Sequence, residues 1–344
     1  MKKRYWFLLV FIIAIIITWF SGPVPQEPTY PKDLPQLPTN LAELENYIRN
    51  QESSLPVRED NEARIIFQGE SPEVTEYSII YLHGFAGSYR DGYPVNVNIA
   101  DTLNAHIYLA RWAGHGLIPP ASLENFNGEN AWESAKEALA IGTMIGKKVI
   151  IMSTSTGGTL AFKLAAEYPD RVHALINMAP NVEDDQPGTF VLNSPWGYEI
   201  ADLISFGKNK KIEHEQAIAR KYWDTVYPSR ALVDLQVLVE TTMLPQTFKN
   251  VKCPVLTLYY HKNFMEEDEH VEVDIYEDSH ALLGTPKELV ALKPLDTPGT
   301  HFIGSDIKSK DINIVEKEII EFLKNKLKID LGNIKKKSVE PVKS

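Results

Sequence analysis

Six short runs rich in β-branched and aromatic residues recur along the middle of the chain: Arg64–Phe67, Tyr77–Leu82, His106–Ala110, Lys148–Met152, Ala174–Met178 and Val255–Tyr260. Segments with helical spacing separate several of them, most clearly Ala131–Ile145 and Gly158–Tyr168. Strands that are apolar along their whole length need cover on both faces, and alternating helices supply it. The pattern therefore predicts an α/β fold with a mainly parallel central sheet flanked by helices. In such sheets ligands bind beyond the carboxyl ends of the strands, so chemistry is sought where these runs stop. The 344 residues are 44% apolar and 24% charged, which excludes a disordered, collagen-like or polytopic membrane protein. With Asp+Glu 46 against Lys+Arg 35, the net charge of −11 argues against a nucleic-acid partner. Cys253 is the one cysteine, so no intramolecular disulfide and no cysteine-based metal site can form.

The ends of the chain read differently from its body. Lys2, Lys3 and Arg4 precede sixteen uncharged residues, Tyr5 to Phe20, in the basic-then-apolar order of a signal peptide or signal anchor. That run is shorter than the ~20 residues that span a bilayer, but aromatic residues flank it as at membrane interfaces. No small-x-small cleavage pattern follows Phe20. Residues 1–22 are therefore expected to be an uncleaved anchor holding the body outside the cytoplasm, or, if cleaved, a signal for a secreted or periplasmic protein. Residues 23–60 carry Pro23, Pro25, Pro28, Pro31, Pro35 and Pro38 and read as an extended spacer rather than a packed element, with a short capped helix at Asn40–Glu45. Residues 331–344 read as a frayed basic tail.

Two stretches carry chemistry. In Ile150-Ile151-Met152-Ser153-Thr154-Ser155-Thr156-Gly157-Gly158 an apolar strand ends in small residues and a helix begins at once. This resembles the nucleophile elbow, G-x-S-x-G, of the α/β-hydrolase family, with Ser155 as nucleophile, Gly157 in the second glycine position and Ser153 where the pattern has glycine. A helix N-terminus there also favours developing negative charge. The second stretch, Ile79-Ile80-Tyr81-Leu82-His83-Gly84-Phe85-Ala86-Gly87-Ser88, looks like the His-Gly oxyanion loop of the same family. The resemblance implies that the backbone N–H groups of Phe85 and Thr156 form the oxyanion hole, with His83 and Gly84 shaping the loop. Arg111–Gly116 resembles the family's Gly-His-Gly rim turn.

The resemblance also implies an acid and then a histidine downstream. His301, in the small-residue loop Thr297–Gly304 before an amphipathic helix at Asp311–Leu327, is similar to the catalytic-histidine loop. His261, His270 and His280 lie in charged surroundings and are expected at the solvated surface, while His106 and His173 are expected to pack. For the acid, Asp268 fits best, three residues before Val271, though Glu266, Glu267 and Glu269 crowd the choice. A metal site from His261, His270 and these carboxylates has no recognised ligand spacing, and neither metal nor cofactor is expected.

The remaining body divides into a core at 61–180 and 228–330 and an insertion at 181–227. The insertion carries Phe190, Trp196, Tyr198, Phe206, Tyr222, Trp223 and Tyr227 and resembles the helical lid of lipase-like members, whose aromatic residues would suit an apolar acyl group. The resemblance thus implies a serine hydrolase of lipase or carboxylesterase type, similar to monoacylglycerol lipases and serine aminopeptidases. It would cleave small ester or lipid-like substrates through Ser155, His301 and Asp268. A serine aminopeptidase or acyltransferase stays open, as does a non-catalytic binding module on the same fold.

Overall fold

The computed structural model describes residues 2–69, 73–183, 188–214 and 216–332. The basic tail expected at 331–344 falls almost wholly outside them. The strands are β1 (Arg64–Ile66), β2 (Thr75–Leu82), β3 (His106–Leu109), β4 (Gly146–Ser155), β5 (Val172–Pro180), β6 (Asn209–Lys211), β7 (Val226–Pro228), β8 (Val255–Asn263), β9 (Glu266–Glu267) and β10 (Val290–Leu295). The helices are α1 (Lys2–Phe20), α2 (Leu41–Ser53), α3 (Val95–Leu103), α4 (Gly128–Ile145), α5 (Thr156–Glu167), α6 (Gly197–Ile204), α7 (Ala219–Tyr222), α8 (Arg230–Thr242), α9 (Pro245–Asn250), α10 (Ile275–Ala281) and α11 (Ile312–Asn325). The main sheet runs β1-β3-β2-β4-β5-β8-β10. Every neighbouring pair along it is parallel except β1 with β3.

Alternation along the central strands divides the interior into two cores, because successive side chains leave a strand on opposite faces. Ile80, Leu82 and Ile151 pack with Trp132 of α4 and Phe162 of α5. Ile79, Tyr81, Ile150 and Met152 pack on the other face with Ile99 of α3 and Ile319 and Phe322 of α11. All six strands read from the sequence are present. A further edge strand, β10, was not legible there: Val-Ala-Leu-Lys-Pro-Leu carries a lysine and a proline that only an edge position accommodates.

Two regions depart from expectation. The proline-rich segment is extended but is not a free spacer. Trp132 Nε1 donates to the Pro31 carbonyl at 2.8 Å, Lys136 Nζ to that of Asp33 at 2.8 Å and Tyr168 Oη to that of Lys32 at 2.7 Å. Proline-rich backbone lacks donors but keeps its carbonyls, and side chains of α4 and of Tyr168, just past α5, take them up. The short helix predicted near Asn40 is longer, α2, with Asn40 accepting from Glu43 N at 2.9 Å.

The insertion between β5 and β8 is mixed rather than helical. It holds α6, α7 and the antiparallel pair β6–β7, and its longest helix, α8, lies beyond residue 227. At the N-terminus, α1 has nineteen residues and exposes apolar side chains all round. Among the described residues, no helix is long and apolar enough to cross a membrane.

Candidate active site

Ser155 ends β4 and precedes α5, with φ 53° and ψ −125°. A non-glycine residue at this φ is strained and is held only where the surroundings dictate it. Asn181 N, from the end of β5, donates to the Ser155 carbonyl at 2.8 Å, and tight packing beneath completes the grip. A Cβ built on Gly157 would stand 2.0 Å from the Leu82 carbonyl oxygen, so only glycine lets α5 start this close to β2. Ser153, the departure from the family pattern, is fully buried, and its hydroxyl donates to Asn177 Oδ1 of β5 at 2.7 Å. The extra oxygen is thereby satisfied without pushing the elbow open.

His301 lies in the loop after β10, and Nδ1 donates to Asp268 Oδ2 at 2.7 Å. Both side chains are almost inaccessible. Asp268 Oδ1 accepts from His270 N at 2.9 Å. Burial alone would raise the Asp268 carboxyl, but the His301 imidazole beside it and the His270 N–H hold it below the ordinary carboxylate value. The crowded acidic run sorts itself through local structure. β8 continues past Tyr260 and turns back as β9, so that Asp268 N reaches the Tyr260 carbonyl at 3.1 Å. The extra residues form a hairpin that returns Asp268 to the strand end. Within it Glu267 pairs with His261 and Glu266 with Lys262.

Ser155, Thr156, Phe85 and His301 line one cavity of about 440 Å³, together with Trp223, Tyr227 and other residues of the insertion. Among the described residues, nothing hydrogen-bonds Ser155 Oγ. Thr156 is the first residue of α5, so its N–H has no acceptor within the helix. Of the insertion aromatics, Trp223 and Tyr227 reach the cavity. Tyr222 instead donates to Asp60, Tyr198 donates to Asp234, and Phe206 is almost fully exposed. The side chain of Phe190 lies outside the described set.

The other histidines separate by environment. His83 is fully buried, its Nδ1 donates to the Gly84 carbonyl at 2.8 Å, and burial drives its pKa well down; it shapes the loop and stays neutral. His115 of the rim turn stacks on Trp112 at 4.5 Å and is pushed down to about 3 by burial. His106 packs and hydrogen-bonds as expected, through Gln68 N and the Glu73 carbonyl. His280 corrects the surface expectation: it is buried on α10 and bridges the Tyr276 carbonyl and Thr257 Oγ1, both at 2.8 Å. A short helix swings it inward from a stretch that reads as charged loop. His270 lines the cavity with its ring 5.0 Å from that of His301.

One buried carboxyl was not legible in the sequence. Asp91 is fully buried; Oδ2 accepts from Gly84 N at 2.6 Å and Oδ1 from Tyr81 Oη, which also meets Thr154 Oγ1 at 2.8 Å. Burial raises Asp91 to about 7, against the pull of these donors. The network ties the residue before Ser155 to the turn that carries Phe85. Nothing distinguishes this Asp from a surface turn residue until its helical turn is folded inward. Among the described residues, no cluster of His, Cys, Asp and Glu could hold a metal ion.

The sheet order, the strained serine between strand and helix, and the buried His–Asp pair are accompanied by a family match: the model described as alpha/beta hydrolase fold matches residues 77–267. The chain belongs to the α/β-hydrolase fold family. This α/β-hydrolase is 27% identical over 139 residues to Protein bem46 of Schizosaccharomyces pombe (strain 972 / ATCC 24843), a match spanning 40% of this chain and 44% of bem46, less than half the relative's length. Among solved structures it is similar to one reported for LipS and LipT, two metagenome-derived lipolytic enzymes, with a TM-score of 0.62, 16% identity and coverage of 78% of this chain and 99% of that one. It is also similar to the monoacylglycerol lipase of Paleococcus ferrophilus, with a TM-score of 0.54, 13% identity and coverage of 76% and 97%. At these identities the likeness is one of fold.

Proposed function

We propose that this α/β-hydrolase is a serine hydrolase that cleaves carboxylic esters through an acyl-enzyme. The observation that carries the reading is the buried pair of His301 and Asp268 on the wall of the cavity that Ser155 also lines. With Nδ1–H committed to Asp268, Nε2 is the nitrogen left to take the serine proton. Ser155 Oγ attacks the acyl carbonyl, and His301 Nε2 accepts its proton. The C–O bond to the alcohol then breaks, and the proton passes from His301 to the departing alkoxide. Water repeats the sequence on the acyl-serine, giving the free acid and restoring Ser155. The N–H groups of Phe85 and Thr156 receive the oxyanion, each donor supplying about 10²–10³ in rate. Asp268, held ionised, fixes the imidazole tautomer and stabilises its cation.

The ester reading is preferred over an aminopeptidase because an α-amino group calls for a free carboxylate. Among the described residues, the one carboxylate lining the cavity, Asp224, is paired to Arg58 at 3.0 Å. The lipolytic and monoacylglycerol lipase activities named for the two structural neighbours accord with this choice. We extend the proposal to α1 as a membrane attachment, supported by its exposed apolar surface and basic start. The test is labelling of the full chain with a fluorophosphonate. Ser155 is expected to be modified, with labelling abolished in Ser155→Ala and largely lost in His301→Ala. A folded protein that refuses the probe while binding small esters would instead be a binding module.

A further inference from the structure

We propose that the cavity beside Ser155 selects esters bearing an anionic group, carboxylate or phosphate, which Lys308 and Lys210 receive; the inference rests on the hydrolase reading above. The cavity is two-sided. Phe85, Leu192, Tyr227 and Leu235 give it an apolar wall, while Lys210 and Lys308 give it a cationic one that also holds His214. In a chain whose net charge is −11, lysines usually find carboxylates, as Lys293 does with Glu318 and Lys221 with Glu59. Among the described residues, neither Lys210 nor Lys308 has an acidic partner. Asp224, the carboxylate on the same wall, faces Arg58 at 3.0 Å.

The residues lining the cavity also carry buried polar atoms that lack hydrogen-bond partners among the described residues, oxygens of Asp224 and Asn181 as well as two ring nitrogens. Trp223 is 3% exposed, yet its Nε1, which can only donate, has no acceptor among the described residues. His214 Nε2 is likewise buried without a partner. Burial, and after it the nearby Lys308 charge, lowers the His214 pKa, so Lys308 and His214 stand within electrostatic reach of each other.

A chain of side-chain contacts connects the wall to His301. Lys308 Nζ stands 5.4 Å from the Trp223 ring centre, Trp223 packs on Phe302 at 5.3 Å, and Phe302 on His301 at 5.0 Å. The spacing suits a short acyl or alcohol portion ending in a charge, with the apolar wall opposite taking the methylenes.

Two pairs of substrates test this with the full chain. For an acyl-side charge, p-nitrophenyl hemiglutarate is compared with p-nitrophenyl pentanoate. For an alcohol-side charge, butyryl glycerol phosphate is compared with butyrylglycerol. In one pair, kcat/KM for the anionic ester is expected to exceed that of its neutral counterpart by about tenfold, the factor one charge-assisted hydrogen bond supplies. The ratio should collapse toward one in Lys308→Met, fall part-way in Lys210→Met and persist in Lys308→Arg. Independently of turnover, glutarate or glycerol phosphate should bind Ser155→Ala in calorimetry and bind about tenfold more weakly once Lys308→Met is added. Equal kcat/KM within both pairs, or an anion preference untouched by both lysine substitutions, overturns the proposal. Anion binding that depends on Lys308 in a protein that hydrolyses no ester would remove the hydrolase reading and leave the anion site standing.

Discussion

Asp268 Oδ2 and His301 Nδ1 lie 2.7 Å apart, joining residues separated by 33 positions in sequence inside a nearly inaccessible pocket. The contact singles out one carboxylate from a run of four acidic residues. Asp268→Asn should lower ester turnover by about 10³–10⁴-fold through loss of the correct tautomer, whereas Glu267→Gln, whose carboxylate faces His261, should stay within about twofold of wild type, a surface-type effect. Steady-state kcat/KM on a p-nitrophenyl ester reads both; a reversed order would reassign the acid.

Gly157→Ala should be among the most damaging small substitutions in the chain. Its Cβ would meet the Leu82 carbonyl oxygen at 2.0 Å, and the collision is with backbone, which has no rotamer to escape into. The expected loss exceeds about 3 kcal/mol, measured as the chemical-denaturation midpoint or seen as failure to accumulate folded protein.

Asp91 gives the stability a defined pH signature. Its folded-state pKa, about 7, is raised above the ordinary carboxyl value of 3.8, so between those values the folded state holds a proton that the unfolded state has released. Relative to Asp91→Asn, wild-type stability should therefore fall as pH rises from about 4 to about 7, with a limiting slope of about 1.4 kcal/mol per unit, and level off above. Urea titrations of both proteins at four or five pH values check it. A difference that rises with pH across this window would contradict the assignment.

Arg58→Met should leave the buried Asp224 carboxylate without its 3.0 Å partner, a change worth about 3–5 kcal/mol at buried pairs. Asp224 is pushed up to about 6 even with Arg58 present, because burial dominates, so the variant should recover part of its stability in mild acid, where the carboxyl takes a proton. Paired melts at pH 5 and pH 8 measure that recovery.

Legibility in the sequence followed chemistry of two kinds. β2, β4, β5 and β8 showed themselves because central strands are apolar on both sides, and Ser155 and His301 because the turns that hold them demand small neighbours. Asp268 was recognisable only as the best of several, since the hairpin that restores its position cannot be seen until β8 and β9 pair. Asp91, Arg58 and Lys308 carried no local mark at all. Each owes its surroundings to tertiary packing, which gathers single polar residues from distant segments around Gly84, Asp224 and Trp223. The mixed architecture of the insertion escaped for a related reason: strands of three residues, such as β6 and β7, are too short to show a period.

The prolines between Pro23 and Pro38 leave little slack behind the first helix. With the Pro31, Lys32 and Asp33 carbonyls gripped by Trp132, Tyr168 and Lys136, the globular body cannot swing as a ball on a string. Trp196 Nε1 moreover donates to the carbonyls of Thr18 and Trp19 at 3.0 and 3.1 Å, stapling the insertion to the end of α1. A tilt of that helix would therefore be felt first by the segment around Trp196, whose neighbours Leu192 and Ile204 line the cavity.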